Sequence, residues 1–468
     1  MKNNSKIKIY AILFGTALVL RLFLFFYLYE SRGADFFDPL RQGTDQAEYG
    51  RVAINLAEHS SFSMSKEAPY SPDPARTPIF PIFLSILYWI SGGFVLPTII
   101  NIFLSSLTSI IVFELAMLVL KSKKASFASG MIFAFLPYGA YLSDLIMADT
   151  LFVLFFVLFL YFFAKFIVFN KDIKYIWIIL SSFLLGLSTL TRPITQFFII
   201  IPILILFLSC FLSPKVRLKE FFFRPALFLA VFLLVLSPWL GRNYYHFNKF
   251  FLSSIGGYHL LVSYVAPWRA QKENISRNEE HAKIKNYVDE KYGPNAMYNI
   301  EVSSQIGKEA KKEILKDPLS YSLFHIGVIP IYFLNNDILL TLREVFSFKV
   351  PDFYLARKIM NGDFGSIMKD FSGQSALWAA VFLLSYAALF LKTVFGIGGA
   401  FLYLRKNFLA GVLFLTVIFY FPFIIGPEGH SRFRLPVEPV LIIFSAYLVI
   451  SAYHFLVNGK KTNQNATR

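Results

Sequence analysis

Long apolar runs, every second one closed by a short link rich in lysine and arginine, set the pattern of this chain. They cover residues 9–29, 94–120, 127–143, 150–169, 175–191, 194–212, 225–240, 376–404, 408–425 and 436–457. Most reach or approach the ~20 residues that carry a helix across ~30 Å of hydrocarbon. Apolar and polar positions do not alternate within them, so helices are predicted and not the strands of a closed barrel. Those are the two ways a backbone satisfies its polar groups inside a bilayer. The predicted fold is all-α: a polytopic transmembrane helical bundle of about 10 to 12 spans, with amphipathic helices on the outer membrane face. Two shorter apolar stretches, 79–90 and 321–334, fall below spanning length and read as re-entrant or interfacial helices; the span count rises if either crosses. The pattern divides the chain into an N-terminal transmembrane module, 1–241, whose first outer loop is 30–78. A polar loop region with short or re-entrant helices follows at 242–375, then a C-terminal transmembrane module at 376–468.

Composition sharpens this reading. Hydrophobic residues make up 56% of the chain and charged ones 16%, against about 25% charged in a soluble domain. The net charge of +16 sits mainly in the short links, which points to positive-inside topology and away from nucleic acid. With Lys2, Lys6 and Lys8 on the cytoplasmic side, the first loop lies outside and both termini lie inside. The first span is too long for a signal peptide and lacks a small-residue cleavage site, so an uncleaved anchor is expected. The single cysteine, Cys210, rules out an intrachain disulfide. No fixed-period or inverted repeat stands out.

Drawn this way, the unusual polar residues collect on one side. Asp45, Glu48, Arg76, Asp144, Asp149, Arg192, Arg242, His430, Arg432 and Arg434 all map to outer loops or outer span ends. Charge beside hydrocarbon is costly unless paired or solvated, so such a concentration is a functional hypothesis. The plain alternative is a belt of snorkelling side chains. After the first span, Thr44 is placed to cap a helix with Tyr49, Val52, Ala53, Leu56 and Ala57 on its apolar side. Asp45, Glu48, Arg51, Asn55 and Glu58 form its polar side. Asp45 falls in the first turn, where the helix dipole favours a carboxylate. Glu48 is either a second functional acid or a capping-box partner. Residues 69–81 hold five prolines in thirteen positions; the segment cannot be helical before Pro78 and delivers Arg76 to the membrane surface on a stiff extended stretch.

The order Asp45-Gln46-Ala47-Glu48-Tyr49, then Arg76-Thr77-Pro78-Ile79-Phe80-Pro81, resembles the first outer loop of GT-C glycosyltransferases, in the branch of protein O-mannosyltransferases and bacterial aminoarabinose transferases. Ser143-Asp144 with Met147-Ala148-Asp149-Thr150-Leu151 is similar to the second acidic site of that branch. Leu190-Thr191-Arg192-Pro193, Ser237-Pro238-Trp239-Leu240-Gly241-Arg242-Asn243-Tyr244 and Arg432-Phe433-Arg434-Leu435-Pro436 follow in the same order. Each motif is short; their shared order over residues 21–447 carries the likeness. Two departures stand out. The family's first acidic motif is usually Asp-Glu, and here Gln46 follows Asp45. The chain also ends soon after its last span, where some relatives carry a soluble domain.

The resemblance implies transfer of a sugar from a polyprenyl-phosphate donor to a glycan, lipid or protein acceptor on the outer side of the bilayer, usually with inversion. A leaving lipid phosphate needs its growing charge held, and guanidinium groups suit that task. Arg432 and Arg434 are the first candidates, Arg192 and Arg242 the second, with Glu48, Arg76 and His430 as further substrate contacts. The acceptor needs a base, and Asp45 is the expected one. Asp149 is the second carboxylate, bonded to the acceptor or helping to hold a cation. No His and carboxylate spacing defines a metal site, so a divalent cation stays an open alternative and no cofactor is assigned. A flippase for lipid-linked sugar is the competing class, but it would place polar residues at mid-membrane. An O-antigen polymerase or ligase would need no acid after the first span.

Overall fold

The computed structural model describes residues 3–168, 175–212, 218–348, 358, 363–372 and 375–466. Helix α1 (Asn3–Arg32) leads into a loop holding α2 (Thr44–His59) and α3 (Ile79–Ser91). Then come α4 (Val95–Leu120), α5 (Lys123–Ala134), α6 (Pro137–Ser143), α7 (Asp149–Val168), α8 (Tyr175–Thr191), α9 (Ile200–Phe211) and α10 (Leu218–Phe247). The middle of the chain forms α11 (Gly256–His259), a π-helical stretch at Leu260–Val265, α12 (Ala266–Glu273), α13 (Arg277–Tyr292) and α14 (Ile300–Lys316). Short helices α15 (Pro318–Gly327), α16 (Ile329–Leu334), α17 (Asp337–Phe346) and α18 (Phe364–Phe371) follow. Long helices α19 (Ala376–Leu404), α20 (Phe408–Ile425) and α21 (Glu438–Ala466) close the chain. No strand occurs among the described residues, and the all-α membrane fold is as the apolar pattern predicts.

Among the described residues, eight helices are long and apolar enough to cross a membrane, or up to ten if two bent pairs each count as one span. One bent pair is α5 with α6, which turn by 55°. Pro137 explains the break, because it disfavours helical geometry in the residue before it and opens a new helix instead. The other pair runs from α15 and α16 into α17 with a 62° bend; the sequence places a sub-spanning apolar stretch there. Helix α8 has 17 residues, short for a span; it is apolar on the whole, with serine and threonine its polar residues.

Lipid offers no hydrophobic force between helices, so close packing has to hold them. An aromatic seam does this at the centre: Phe156 of α7 meets Phe421 of α20 at 5.2 Å and Phe198 at 5.5 Å. Where α19 crosses α21, a Cβ on Gly399 would stand 2.0 Å from the Phe444 carbonyl oxygen, so only glycine permits the approach. Arg21 does not snorkel outward. It is fully buried and donates to Ser105 Oγ and to the carbonyls of Ala17 and Ala134, tying α1 to α4 and α5. The segment from α11 to α14, predicted to lie outside, has a core of its own, built on Val265, Trp268, Ile284, Val288 and Ile306.

Candidate active site

The site is assembled from the first outer loop upward. Helix α2 begins after an N-cap at Gly43, one position before the expected Thr44, and buries Tyr49, Val52 and Ala53. It ends at Ser60, whose φ of 52° stops the helix. Asn55, expected on the polar face, is buried because its amide donates to the carbonyls of Ser63 and Ser65 and folds the next loop back. That loop reaches Asp73, whose carboxylate accepts the backbone N–H groups of Ala75 (3.0 Å) and Arg76 (3.0 Å). Arg76 is thereby aimed back at α2. Its Nη2 donates to Asp45 Oδ1 at 2.9 Å, its Nε donates to Glu48 Oε2 at 2.6 Å, and its guanidinium lies 4.8 Å from the centre of the Tyr49 ring. Glu48 is no capping-box partner: its other oxygen accepts from Tyr298 of the outer segment at 2.7 Å.

The far end of the chain completes the arrangement. A short turn at Ser431–Arg434 is capped by His430, whose Nδ1 accepts the Arg432 N–H at 3.2 Å. Arg432 then reaches Asp45, with Nη1 to Oδ2 at 2.9 Å. The second acid follows the same logic. Asp149, at the start of α7, is ion-paired through Oδ1 with Arg192, while its buried Oδ2 has no hydrogen-bond partner. Arg192 and Arg432 both lie on the Phe433 ring, at 5.2 and 4.7 Å. Asp45, Arg432 and His430 line a cavity of about 650 Å³, with Gln46, Tyr138 and Met147 among its other walls.

The electrostatics are those of a carboxylate held between cations. Burial pushes Asp45 up, but Arg76 and then Arg432 outweigh it and hold the carboxyl well below the usual range. Burial, with Arg432 adding to it, pushes the His430 imidazole down to about 3, so the ring is neutral at physiological pH. Burial pushes Asp73 up to about 6, against the pull of its two backbone N–H bonds.

Two of the arginines singled out from the sequence go elsewhere. Arg434 is fully buried and turned away from the cavity. It donates to Glu438 (2.6 Å), Asp337 (2.9 Å) and the Asn335 carbonyl (2.6 Å), and Lys392 joins the cluster through Glu438 at 2.7 Å. Arg242 donates to the carbonyls of Asp73 and Phe62 and stacks on Trp239, which braces the loop that carries Arg76. Asp144 is buried with both carboxylate oxygens lacking a hydrogen-bond partner. Gln46, the departure from the family motif, accepts the Ile146 N–H at 3.3 Å and so links the two acidic segments without adding a charge. Arg277, Asn278 and His281 of α13 also face the cavity. Sequence reasoning passed over them, since charge in a polar outer loop carries no signal.

Among the described residues no three His, Cys, Asp or Glu side chains are grouped to hold a metal ion. Asp45 has both oxygens on guanidinium groups and Asp149 is paired with Arg192. These donors, occupied by guanidinium groups, do not fit a divalent cation.

Residues 75–241 match the family model described as dolichyl-phosphate-mannose-protein mannosyltransferase. Among solved structures, the Archaeoglobus fulgidus oligosaccharyltransferase in its apo form is similar in fold, with TM-score 0.53 and 16% identity over 100% of this chain and 52% of that one. The same organism's oligosaccharyltransferase AglB, in complex with an inhibitory peptide and a dolichol-phosphate, gives TM-score 0.49 and 16% identity over 96% and 52%. ArnT from Cupriavidus metallidurans bound to undecaprenyl phosphate gives 0.38 and 15% over 90% and 77%. The chain spans about half the length of the oligosaccharyltransferases it matches. Comparison with curated protein sequences gave no match. The family match and the shared fold bear out the resemblance to GT-C glycosyltransferases that the motifs carry.

Proposed function

We propose that this protein is a multi-pass membrane glycosyltransferase that moves a sugar from a polyprenyl-phosphate donor to a glycan, lipid or protein acceptor on the extracytoplasmic side, with inversion at the anomeric carbon. The observation that carries the reading is the meeting of Asp45 with Arg432 at 2.9 Å in one cavity, although they come from opposite ends of the chain. The donor class follows the family description, whose dolichyl phosphate is a polyprenyl phosphate. In this reading the donor phosphate lies against Arg432 and the neutral His430. The bond from the anomeric carbon to the phosphate oxygen breaks, its electron pair stays on that oxygen, and Arg432 stabilises the growing charge. On the opposite face of the sugar the acceptor oxygen or nitrogen bonds to the anomeric carbon and passes its proton to Asp45. Arg76 orients Asp45 through Oδ1. Asp149, set by Arg192, helps to seat the acceptor, and Arg434 and Arg242 hold the scaffold. A base in hydrogen-bond reach contributes ~10²-fold to 10⁴-fold. Asp45→Asn is therefore expected to lower transfer from radiolabelled polyprenyl-phosphate sugars by at least ~100-fold in membranes of equal expression. Undiminished transfer would remove Asp45 as the base.

A further inference from the structure

The two guanidinium groups that hold Asp45 are held very differently themselves. Arg76 is locked: it is bonded to Glu48 as well as Asp45, lies on the Tyr49 ring, and has its backbone N–H fixed by Asp73. Arg432 has one carboxylate within ion-pair distance among the described residues, Asp45; it also feels the charge of Asp149, beyond ion-pair distance, and its guanidinium rests on the neighbouring Phe433 ring. Arg432 also lines the cavity, so an anion entering that space meets it directly. Asp45 Oδ2, the oxygen that Arg432 covers, is the one not already bound to Arg76. A carboxylate with each oxygen on a guanidinium is a weak proton acceptor, because accepting a proton would sacrifice both pairings.

We propose that Arg432 is a shuttle: without donor it masks the base by covering Asp45 Oδ2, and the donor phosphate draws it away and frees that oxygen for the acceptor. The device rests on the glycosyltransferase reading above and adds an order to it, donor before acceptor. When the donor binds, Arg432 exchanges a carboxylate for a phosphodiester of the same charge. As the glycosidic bond breaks, the phosphate gains a second negative charge and holds Arg432 more firmly, while Asp45 takes the acceptor proton and no longer competes. Departure of the lipid phosphate returns Arg432 to Asp45. An acceptor arriving at the donor-free protein finds no free base.

If Asp45 and phosphate compete for Arg432, removing the carboxylate tightens lipid-phosphate binding even though it lowers transfer. Undecaprenyl phosphate is titrated against the full chain in nanodiscs, as wild type, Asp45→Asn, Arg432→Ala and the double variant. Asp45→Asn is expected to bind about tenfold tighter, the scale of a desolvated pair changing partners, and Arg432→Ala at least about tenfold weaker. In the Arg432→Ala background, Asp45→Asn is expected to change nothing. Wild-type affinity in Asp45→Asn would overturn the shuttle. So would an equal gain in the Arg432→Ala background, since that would be plain repulsion between carboxylate and phosphate. Asp45→Ser serves if the Asn variant does not fold. If wild type itself does not bind the lipid, the donor assignment fails and the shuttle with it; a wild type that binds while Asp45→Asn gains nothing sinks the shuttle alone.

Discussion

His430 shows how one side chain can act through its backbone partner. Its Nδ1 caps the turn that presents Arg432, and burial keeps the ring neutral and able to accept. Loss of such a cap costs ~1 kcal/mol, about fivefold, so His430→Ala should raise the KM for donor by about that factor with a smaller effect on kcat. His430→Asn, whose amide oxygen can accept the same N–H, should recover most of the loss; an Asn variant no better than Ala would refute the capping role. Asp73 gives a pH signature. Its folded value near 6 lies above the ordinary carboxylate value, so the protonated form is favoured by folding. That contribution is present in full below about pH 4 and is lost as pH rises through about 6, a change of ~3 kcal/mol at most. Melting temperatures in detergent from pH 4 to 7 should fall less steeply for Asp73→Asn than for wild type; identical slopes would reject the assignment. Asp45, Arg76 and Arg432 were legible in the sequence because charge beside a span is costly and therefore conspicuous. Arg434 was legible for the same reason and misread. Two residues from Arg432 and chemically identical to it, it is sent to the opposite side only by the tight turn at Ser431–Arg434.

At the scale of elements, Arg434 joins α21 to α17 through Asp337, and Glu438 extends the network to Lys392 of α19. Charges this deep persist only as a complete set, and breaking one pair costs ~3–5 kcal/mol because its partner is left buried and alone. Arg434→Ala should therefore lower the melting temperature sharply, while whatever protein folds keeps a near-normal KM for donor. A selective loss of donor use at unchanged stability would return Arg434 to the phosphate. Lys392 and Asp337 could not be joined to it from sequence, because they lie on separate helices whose rotation against α21 no periodicity reports; Glu438, four residues on, is a local partner. The places of the long apolar helices were readable from length and hydropathy, but their ends were less so: α1 and α10 run past the predicted 9–29 and 225–240 on both sides. The break between α5 and α6 was not: residues 127–143 read as one span, although Pro137 was in plain view.

For the whole molecule, transfer at this cavity requires the loop that carries α2, α13 and the Ser431–Arg434 turn on one side of the bilayer, and the basic links on the other. The positive-inside pattern predicts that arrangement, and the meeting of Asp45 with Arg432 requires its first half. The chain suits a labelling test because its one cysteine, Cys210, is buried and can be replaced by serine. Single cysteines are then introduced at exposed positions: Glu58 at the end of α2, His281 on α13, Lys124 in the first turn of α5 and Arg405 after α19. A membrane-impermeant maleimide applied to intact cells should label positions 58 and 281. Positions 124 and 405 should stay unlabelled until the membrane is permeabilised. Labelling of 58 and 281 from opposite sides would separate the outer segment from α2, which Tyr298 joins to Glu48, and would leave the cavity without its roof. Labelling of all four positions in the reversed sense would keep the fold and the site but turn the cavity toward the cytoplasm, where an acceptor on the extracytoplasmic side could not reach Asp45.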